Sequence, residues 1–101
     1  MTEYNKLVRD RIIEIMEAKG LKPEWHIGKD EEYRQKAIEK LQEELAEFLE
    51  SKDPEELADL LEITYAVAES LGVSRDQLEA LRAKKATDGG GFTKRIILER
   101  S

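Results

Sequence analysis

The sequence predicts an all-α fold, because apolar residues recur at helical spacing and residues that start or stop helices flank each such segment. The chain has 101 residues, which suits one domain, so residues 1–101 are expected to form a single helical domain. We expect a bundle of about four helices with an antiparallel hairpin at its centre. A chain of this length encloses a modest core, so we also expect oligomerisation to complete the bundle.

The first two helices follow from their apolar stripes and from the residues that end them. The first is predicted from about Asn5 to Lys19, and Gly20 stops it. Its stripe consists of Leu7, Val8, Ile12, Ile15 and Met16. A loop follows from Leu21 to Lys29, and the second helix is predicted from about Asp30 to Glu50. Its stripe consists of Ile38, Leu41, Leu45, Phe48 and Leu49.

The third helix is predicted from Pro54 to about Leu71. Asp53 suits the N-cap, Pro54 suits the first position, and Glu56 stands where a capping box places its acid. The helix is apolar nearly all round, which is typical of a helix buried on most sides. A chain of this size can hardly enclose such a helix, so we expect a partner subunit to cover part of it. The expected interface residues are Leu60, Ile63 or Val67.

The fourth helix and the end of the chain are predicted with less periodic support. Gly72 ends the third helix, and Ser74 with Gln77 forms a capping pair for a fourth helix that reaches about Ala86. After the glycines at 89–91, the segment from Phe92 to Leu98 is β-prone, and we expect either a short strand or an extended tail.

Composition excludes several classes of function. The chain carries 23 acidic and 17 basic residues, a net charge of −6, which disfavours coating of a nucleic-acid duplex. Cysteine is absent, and His26 is the single histidine, so thiolate catalysis and multi-histidine metal sites are excluded. The first eleven residues lack the apolar stretch of a signal peptide, and the longest uncharged run, Ile63–Ala68, is too short to span a membrane. We therefore expect a cytoplasmic protein that does not bind membranes.

Acidic residues on the second and third helices form the most informative pattern. The second helix carries Glu44 and Glu47, and the third carries Glu56 and Asp59. Both cross-helix pairs, Glu47 with Glu56 and Glu44 with Asp59, are centred on position 51.5. In an antiparallel hairpin, each pair therefore lies at about the same height above the tip.

Helical periodicity places these four carboxylates at the edge of the seam between the two helices. At about 100° per residue, Glu56 points into the apolar face, and the two glutamates of the second helix border its stripe. Four anions repel strongly in such a place, and a hard divalent cation would neutralise them. Oxygen ligands favour Mg²⁺, with Mn²⁺ as the alternative. The competing interpretation is a solvated acidic face, with Glu56 closing its capping box.

Three blocks of the sequence resemble one family. The acids Glu43, Glu44, Glu47, Glu56 and Asp59 resemble the E-E-x-x-E…E-x-x-D signature of the all-α nucleotide pyrophosphatases, the superfamily of MazG, the dimeric dUTPases and phosphoribosyl-ATP pyrophosphohydrolase. The segments Tyr4–Ile12 and Gly90–Leu98 resemble the beginning and end of a small MazG-like branch. In two respects the chain differs from it: the spacer between Glu47 and Glu56 is shorter than usual, and Ile13 replaces a proline.

The resemblance implies Mg²⁺-dependent cleavage of a nucleoside triphosphate, possibly non-standard in its base, to a monophosphate and pyrophosphate by a homodimer or homotetramer. It implies that Glu44, Glu47, Glu56 and Asp59 are the metal ligands and that Glu43 is an additional acid. Glu43 or Glu47 would accept the proton of the attacking water, and the alternatives stay open here. Candidates for gripping the phosphates are Lys6, Arg9, Arg11, Lys94 and Arg95, whose competing role is in solvated ion pairs. The alternative function is a non-enzymatic helical module that oligomerises or docks a partner.

Overall fold

The computed structural model describes residues 5–101, and Tyr4, with which the amino-terminal block opens, lies outside them. Four α-helices run along the described chain, and no β-strand occurs within it. The helices are α1 (Ile12–Ala18), α2 (Asp30–Ser51), α3 (Pro54–Ser70) and α4 (Arg75–Gly89). The predicted all-α class and the number of helices are confirmed. No helix of the described residues is both long enough and apolar enough to cross a membrane.

The first helix is much shorter than predicted. It was expected from Asn5, but α1 begins at Ile12, so the prediction is wrong for residues 5–11. Asn5 has φ of 44°, in the left-handed region that an α-helix excludes. Leu7 and Val8, whose spacing suggested the helix, instead line a cavity against α2 and α3. Tertiary contacts therefore override the local periodicity in this segment.

The break between α2 and α3 forms as its residues predict. Lys52 adopts a left-handed conformation with φ of 57° and ends α2. The Asp53 carboxylate then accepts a hydrogen bond from the Glu55 amide at 2.9 Å, and Pro54 occupies the first helical position. The Asp53 amide donates to the Ser51 hydroxyl at 3.1 Å. That amide is the donor that a capping-box Glu56 would engage, so the Glu56 carboxylate is not used in this way.

Helices α2 and α3 pack along each other and contain the buried residues of the chain. The beginning of α2 contacts the end of α3: the Tyr33 hydroxyl donates to the Ala66 carbonyl at 3.4 Å, and Arg34 donates to the Ser70 carbonyl at 3.2 Å. Ala37, Ile63 and Ala68 are the buried apolar residues of the described chain. Ile63 is thus covered within one subunit, although it was one of the residues expected at an interface.

Helix α4 extends away from this pair. Ser74 and Gln77 form the predicted capping box, and the helix continues to Gly89, three residues past the predicted end. It contacts α3 at its beginning, where the Arg75 guanidinium lies 3.9 Å from the centroid of the Tyr65 ring. No residue of α4 is buried. The radius of gyration is 17.4 Å, well above the ~13 Å typical of a compact domain of this length.

The last part of the chain forms no strand, so the first of the two alternatives that its sequence left open is wrong, and the segment is instead an exposed, irregular tail. The segment Phe92–Leu98, called the C-terminal tail below, forms no strand and has a single turn in which the Arg95 amide donates to the Phe92 carbonyl. All of its side chains are exposed. Apolar side chains of this size are rarely left in water in a contiguous run without a reason.

Candidate metal centre

Three carboxylates from α2 and α3 converge at one place. Oxygen atoms of Glu44, Glu56 and Asp59 all lie within 4.8 Å of one another, and these residues are called the acid cluster. Glu44 comes from the later part of α2, whereas Glu56 and Asp59 lie one turn apart at the beginning of α3. The packing of the two helices therefore brings together three of the four acids whose positions predicted a metal site. No other metal-competent cluster occurs within residues 5–101.

Glu44 is the most unusual member of the cluster because it is buried. Its exposed fraction is 7%, and its Oε2 atom has no hydrogen-bond partner. Its Oε1 atom lies 3.4 Å from the Lys40 ammonium, one turn earlier on α2. Burial raises the pKa of Glu44, the charges of Glu47 and Asp59 raise it further, and Lys40 offsets part of the shift. A buried carboxylate oxygen without a partner is costly unless something occupies the space beside it.

Glu56 and Glu47 show that the negative charge of the site extends beyond three residues. Partial loss of hydration raises the pKa of Glu56, and the charges of Glu47, Asp59 and Glu44 add to this effect. Glu47 lies outside the set of atoms within 4.8 Å, yet its charge raises the pKa of both Glu44 and Glu56. No ion pair engages the Glu47 carboxylate within residues 5–101. The fourth predicted acid is therefore near the cluster and unneutralised.

Glu43 has a different role from the other acids. Its carboxylate lies 3.3 Å from the Lys6 ammonium and 3.4 Å from that of Lys40. Burial works to raise the pKa of Glu43, but the charges and hydrogen bonds of Lys40 and Lys6 outweigh it and lower the pKa. Glu43 thus anchors two cations next to the cluster.

The amino-terminal segment brings further positive charge to the cluster. The Arg9 guanidinium donates to the Asp59 carboxylate at 2.6 Å, across 50 residues of sequence. Arg11 pairs instead with Glu14 of α1 at 3.0 Å. Lys94 and Arg95 lie in the exposed C-terminal tail, line no part of the cavity described next, and form no ion pair within the described chain. Of the five predicted phosphate-binding residues, the structure brings Lys6 and Arg9 to the acids.

An open cavity of about 500 Å³ adjoins the cluster. Its size falls in the range of ~300–1,000 Å³ that is typical of small-molecule sites. Residues of the amino-terminal segment, of α2 and α3, and of the beginning of α4 line it. Charged and aromatic groups on its wall include Arg9, Glu44, Asp59, Tyr65 and Arg75. Two members of the acid cluster therefore face a space large enough for a small molecule.

The donor set fits a hard divalent cation. Bonds of about 2.0–2.1 Å to Mg²⁺ place its ligand oxygens at most about 4.2 Å apart, so the oxygens of the acid cluster, all within 4.8 Å of one another, would bind Mg²⁺ after drawing slightly closer together. The unpartnered Oε2 of Glu44 supplies a buried anionic ligand. Carboxylates without nitrogen or sulfur ligands suit Mg²⁺ or Mn²⁺.

Two features of the site were missed at the level of sequence. Lys40 precedes Glu43 and Glu44 by three and four positions, a spacing at which helical side chains meet, so this signal was present. The contact of Arg75 with Tyr65 depends on how α4 leaves α3, and no local pattern indicates it.

Comparison with protein families, with curated proteins and with solved structures found no match for this chain. The MazG-like resemblance therefore rests on the three blocks of residues named above and stays a prediction.

Proposed function

We propose that this protein is a Mg²⁺-dependent nucleotide pyrophosphohydrolase that converts a nucleoside triphosphate to a monophosphate and pyrophosphate. One observation carries the proposal: a buried carboxylate with an unpartnered oxygen, Glu44, sits among converging acids at the wall of a cavity that Arg9 also lines. Polyphosphates need both metal ions and fixed cations in a protein of net charge −6.

In this proposal, Glu44, Glu56 and Asp59 hold the metal, and Glu47 completes the set from the edge of the cluster. Bound Mg²⁺ supplies positive charge for the phosphate oxygens and lowers the pKa of a water molecule. The proposal also treats α2 and α3 as an antiparallel hairpin, which brings the four acids to one level, and assembles the protein as a homo-oligomer.

Fixed cations of the chain would bind the outer phosphates. Arg9 and Lys6 are held at the cluster by their contacts with Asp59 and Glu43, so both are positioned before a ligand arrives. Charge-assisted hydrogen bonds from such groups to phosphate oxygens are stronger than neutral ones. Lys94 and Arg95 remain candidates for binding the phosphates, and the C-terminal tail would have to bring them to the cavity.

The attacking water must transfer a proton, and Glu47 is the better placed of the two candidate acceptors. Glu43 already accepts from two lysines, which leaves its carboxylate engaged. Glu47 has no such partner within residues 5–101 and lies close enough to the cluster to affect the pKa of Glu44 and Glu56. Once it has accepted the proton, Glu47 can return it to solvent or to the departing phosphate.

A screen for pyrophosphate release tests the proposal directly. The purified protein is incubated with standard and modified nucleoside triphosphates, with Mg²⁺ and separately with a chelator. We expect release of pyrophosphate and monophosphate from at least one nucleotide with Mg²⁺, and none with the chelator. Absence of release across the panel with Mg²⁺ and with Mn²⁺ would contradict the proposed activity.

A second candidate is a non-enzymatic helical module that oligomerises or binds a partner, and the exposed apolar side chains of α2, α3 and the tail favour it. The two candidates differ in their response to metal. A specific metal site raises the thermal midpoint by linkage when Mg²⁺ is added, whereas a purely structural module has no reason to respond.

A further inference from the structure

One side of the α2–α3 pair exposes a stripe of large aliphatic side chains. The exposed fractions range from 40% at Ile38 to 56% at Leu49, high for residues of this type on two helices that already pack together. The stripe, called the leucine face below, consists of Ile38, Leu45, Leu49, Leu57 and Leu61.

The leucine face lies away from the acid cluster. Leu45 follows Glu44 and Leu57 follows Glu56, so each leucine is turned about 100° from its neighbouring acid around the helix axis. The contact of Tyr33 with Ala66 indicates that the helices are antiparallel. In that arrangement, the two rotations place Leu45 and Leu57 on the same side of the pair. Between Ile38 and Leu49, and between Leu57 and Ala68, no charged residue falls within about 90° of this side. In a chain that is 40% charged, so long an uncharged face indicates a covered surface.

The C-terminal tail presents the complementary feature, large apolar side chains that are almost fully exposed. Phe92 is 97% exposed, and Ile96, Ile97 and Leu98 are each at least 78% exposed. The tail also carries a net positive charge, whereas the chain as a whole is negative. From Gly90 to Ser101 there are three basic residues and one acidic residue, whereas the whole chain has a net charge of −6. The tail is therefore a cationic apolar segment on an acidic protein.

The length of the tail also matches the leucine face. The tail contains a turn from Phe92 to Arg95, and once that turn is opened its seven residues span about 23 Å. The α2 part of the leucine face, from Ile38 to Leu49, is about 17 Å long at 1.5 Å per residue. One tail can therefore cover the face along its full length.

Helix α4 forms an arm that carries the tail. The helix has 15 residues, about 22 Å at 1.5 Å per residue, and its capping box fixes its beginning. It contacts α3 near Arg75 and buries none of its residues. The tail thus begins at the end of a helix that buries none of its residues, and all side chains of the tail are exposed.

We propose that the C-terminal tail of one copy binds the leucine face of a second copy, and that the exchange is reciprocal. Two such contacts related by a two-fold axis close a dimer and leave neither tail nor face uncovered. The occupant of the leucine face is then a segment of this same protein, delivered by α4 of the other copy. Neither the metal nor a nucleotide takes part in this contact, so it can be tested without the proposed activity, but it places Lys94 and Arg95 on a face away from the acid cluster.

Mixing two complementary variants tests the exchange. The tail variant carries Ile96→Asp and Ile97→Asp, and the face variant carries Leu45→Asp and Leu57→Asp. Both changes fall on exposed side chains, and far-ultraviolet circular dichroism checks that helix content is kept. In sedimentation velocity we expect the wild type to be a dimer, each variant alone to be a monomer, and an equimolar mixture to regain dimer through one intact tail-to-face contact. Association of either variant alone, or failure of the mixture to associate, would contradict the exchange.

Because the chain lacks cysteine, disulfide trapping gives an independent readout. One population carries Ile97→Cys and another carries Leu45→Cys, and they are mixed under mild oxidation. We expect a covalent heterodimer, since a disulfide forms when Cα atoms approach within about 7 Å. The matched control is Glu39→Cys, on the same helix but on another side, which should trap little with the tail. A monomeric disulfide in a chain carrying both cysteines of the first pair, with no intermolecular product, would show that the tail folds back on its own chain and would overturn the proposal. A dimer that survives deletion of residues 92–101 would overturn it too, because the copies would then meet elsewhere.

Discussion

The two sides of the α2–α3 pair differ in how far residues of the same chain neutralise or cover them. On the acidic side, Glu43 and Asp59 hold cations from the amino-terminal segment, and a cavity forms between the contributing elements. On the side that bears the leucine face, leucines remain about half exposed, and the apolar C-terminal tail is exposed as well. The same two helices thus carry one surface built within the chain and one that the described chain leaves uncovered.

This difference separates two kinds of evidence for function. The acidic side contains charge that the chain does not fully neutralise, which indicates a missing cation. The leucine face contains apolar area that the chain does not cover, which indicates a missing surface. A cation and a second copy are different ligands, so each side can be tested while the other is left intact.

The largest expected effect concerns the acids of the cluster. We predict that Glu56→Gln and Asp59→Asn each reduce Mg²⁺-dependent hydrolysis at least ~100-fold, since loss of even an outer partner of a metal ligand typically costs ~10–100-fold. Steady-state kinetics on the nucleotide found by the screen measures this. Glu55→Gln is the matched control, because Glu55 is exposed on the same turn of α3 and lies outside the cluster.

The same variants separate a metal site from a structural carboxylate. In the metal-free protein, Glu56→Gln should leave the thermal midpoint unchanged or raise it, because the substitution removes repulsion from Glu47, Asp59 and Glu44. A fall of several kcal/mol in the free energy of unfolding without metal would indicate that Glu56 supports the fold instead.

A second large effect should appear in thermal stability. At a Mg²⁺ concentration of about 100 times Kd, linkage contributes about 2.7 kcal/mol, which corresponds to more than about 10 °C in Tm for a domain of this length. Differential scanning calorimetry with Mg²⁺ and then with excess chelator measures the shift and its reversal. In Glu44→Gln the shift should largely disappear, and an equal shift in that variant would place the metal elsewhere.

The fold could be predicted from the sequence where local signals and packing agree. Helices α2 and α3 follow their caps and stripes to within one residue, because Asp53 and Pro54 favour the same start that the packing of the two helices requires. For residues 5–11 they disagree. Leu7 and Val8 have helical spacing, but they lie in a non-helical segment and line the cavity instead.

The site could be predicted in outline for a similar reason. Helical periodicity fixes which way Glu44, Glu56 and Asp59 point, so their convergence follows once the two helices pair. The contacts of Arg9 with Asp59 and of Arg75 with Tyr65 depend on the path of connecting segments. The periodicity of the sequence does not predict the path of these connecting segments.

A smaller effect is expected from the cations. We predict that Lys6→Met and Arg9→Met each raise KM or lower kcat by about tenfold, or about 1.4 kcal/mol, because each removes a fixed charge next to the phosphates. Lys94→Met and Arg95→Met should change the kinetics less. Arg82→Met, which breaks an ion pair on α4 away from the cavity, serves as the control. Wild-type kinetics in both Lys6→Met and Arg9→Met would remove these residues from the phosphate site.

The smallest effect is expected when the metal-free protein is acidified: Glu44 of the acid cluster should then add to folding stability, and Glu79 of α4 should reduce it. The pKa of Glu44 is raised in the folded state, so folding binds protons there, and stability rises as the pH falls through that raised pKa. The pKa of Glu79 on α4 is lowered by its hydrogen bond and ion pair with Arg82. The stability from this pair is therefore present above the unfolded pKa and is lost as the pH falls through the folded pKa.

Thermal melts with chelator, from pH 7 down to about pH 4, measure both contributions. In Glu44→Gln, the gain in stability on acidification should disappear. In Glu79→Gln, a loss of stability on acidification should disappear. This change should be smaller than that in Glu44→Gln, because the Glu79–Arg82 pair is exposed and such pairs contribute little. Equal pH dependence in the wild type and in Glu44→Gln would mean that the cluster is already neutralised without metal, and the contrast between the two sides of the molecule would then rest on the leucine face alone.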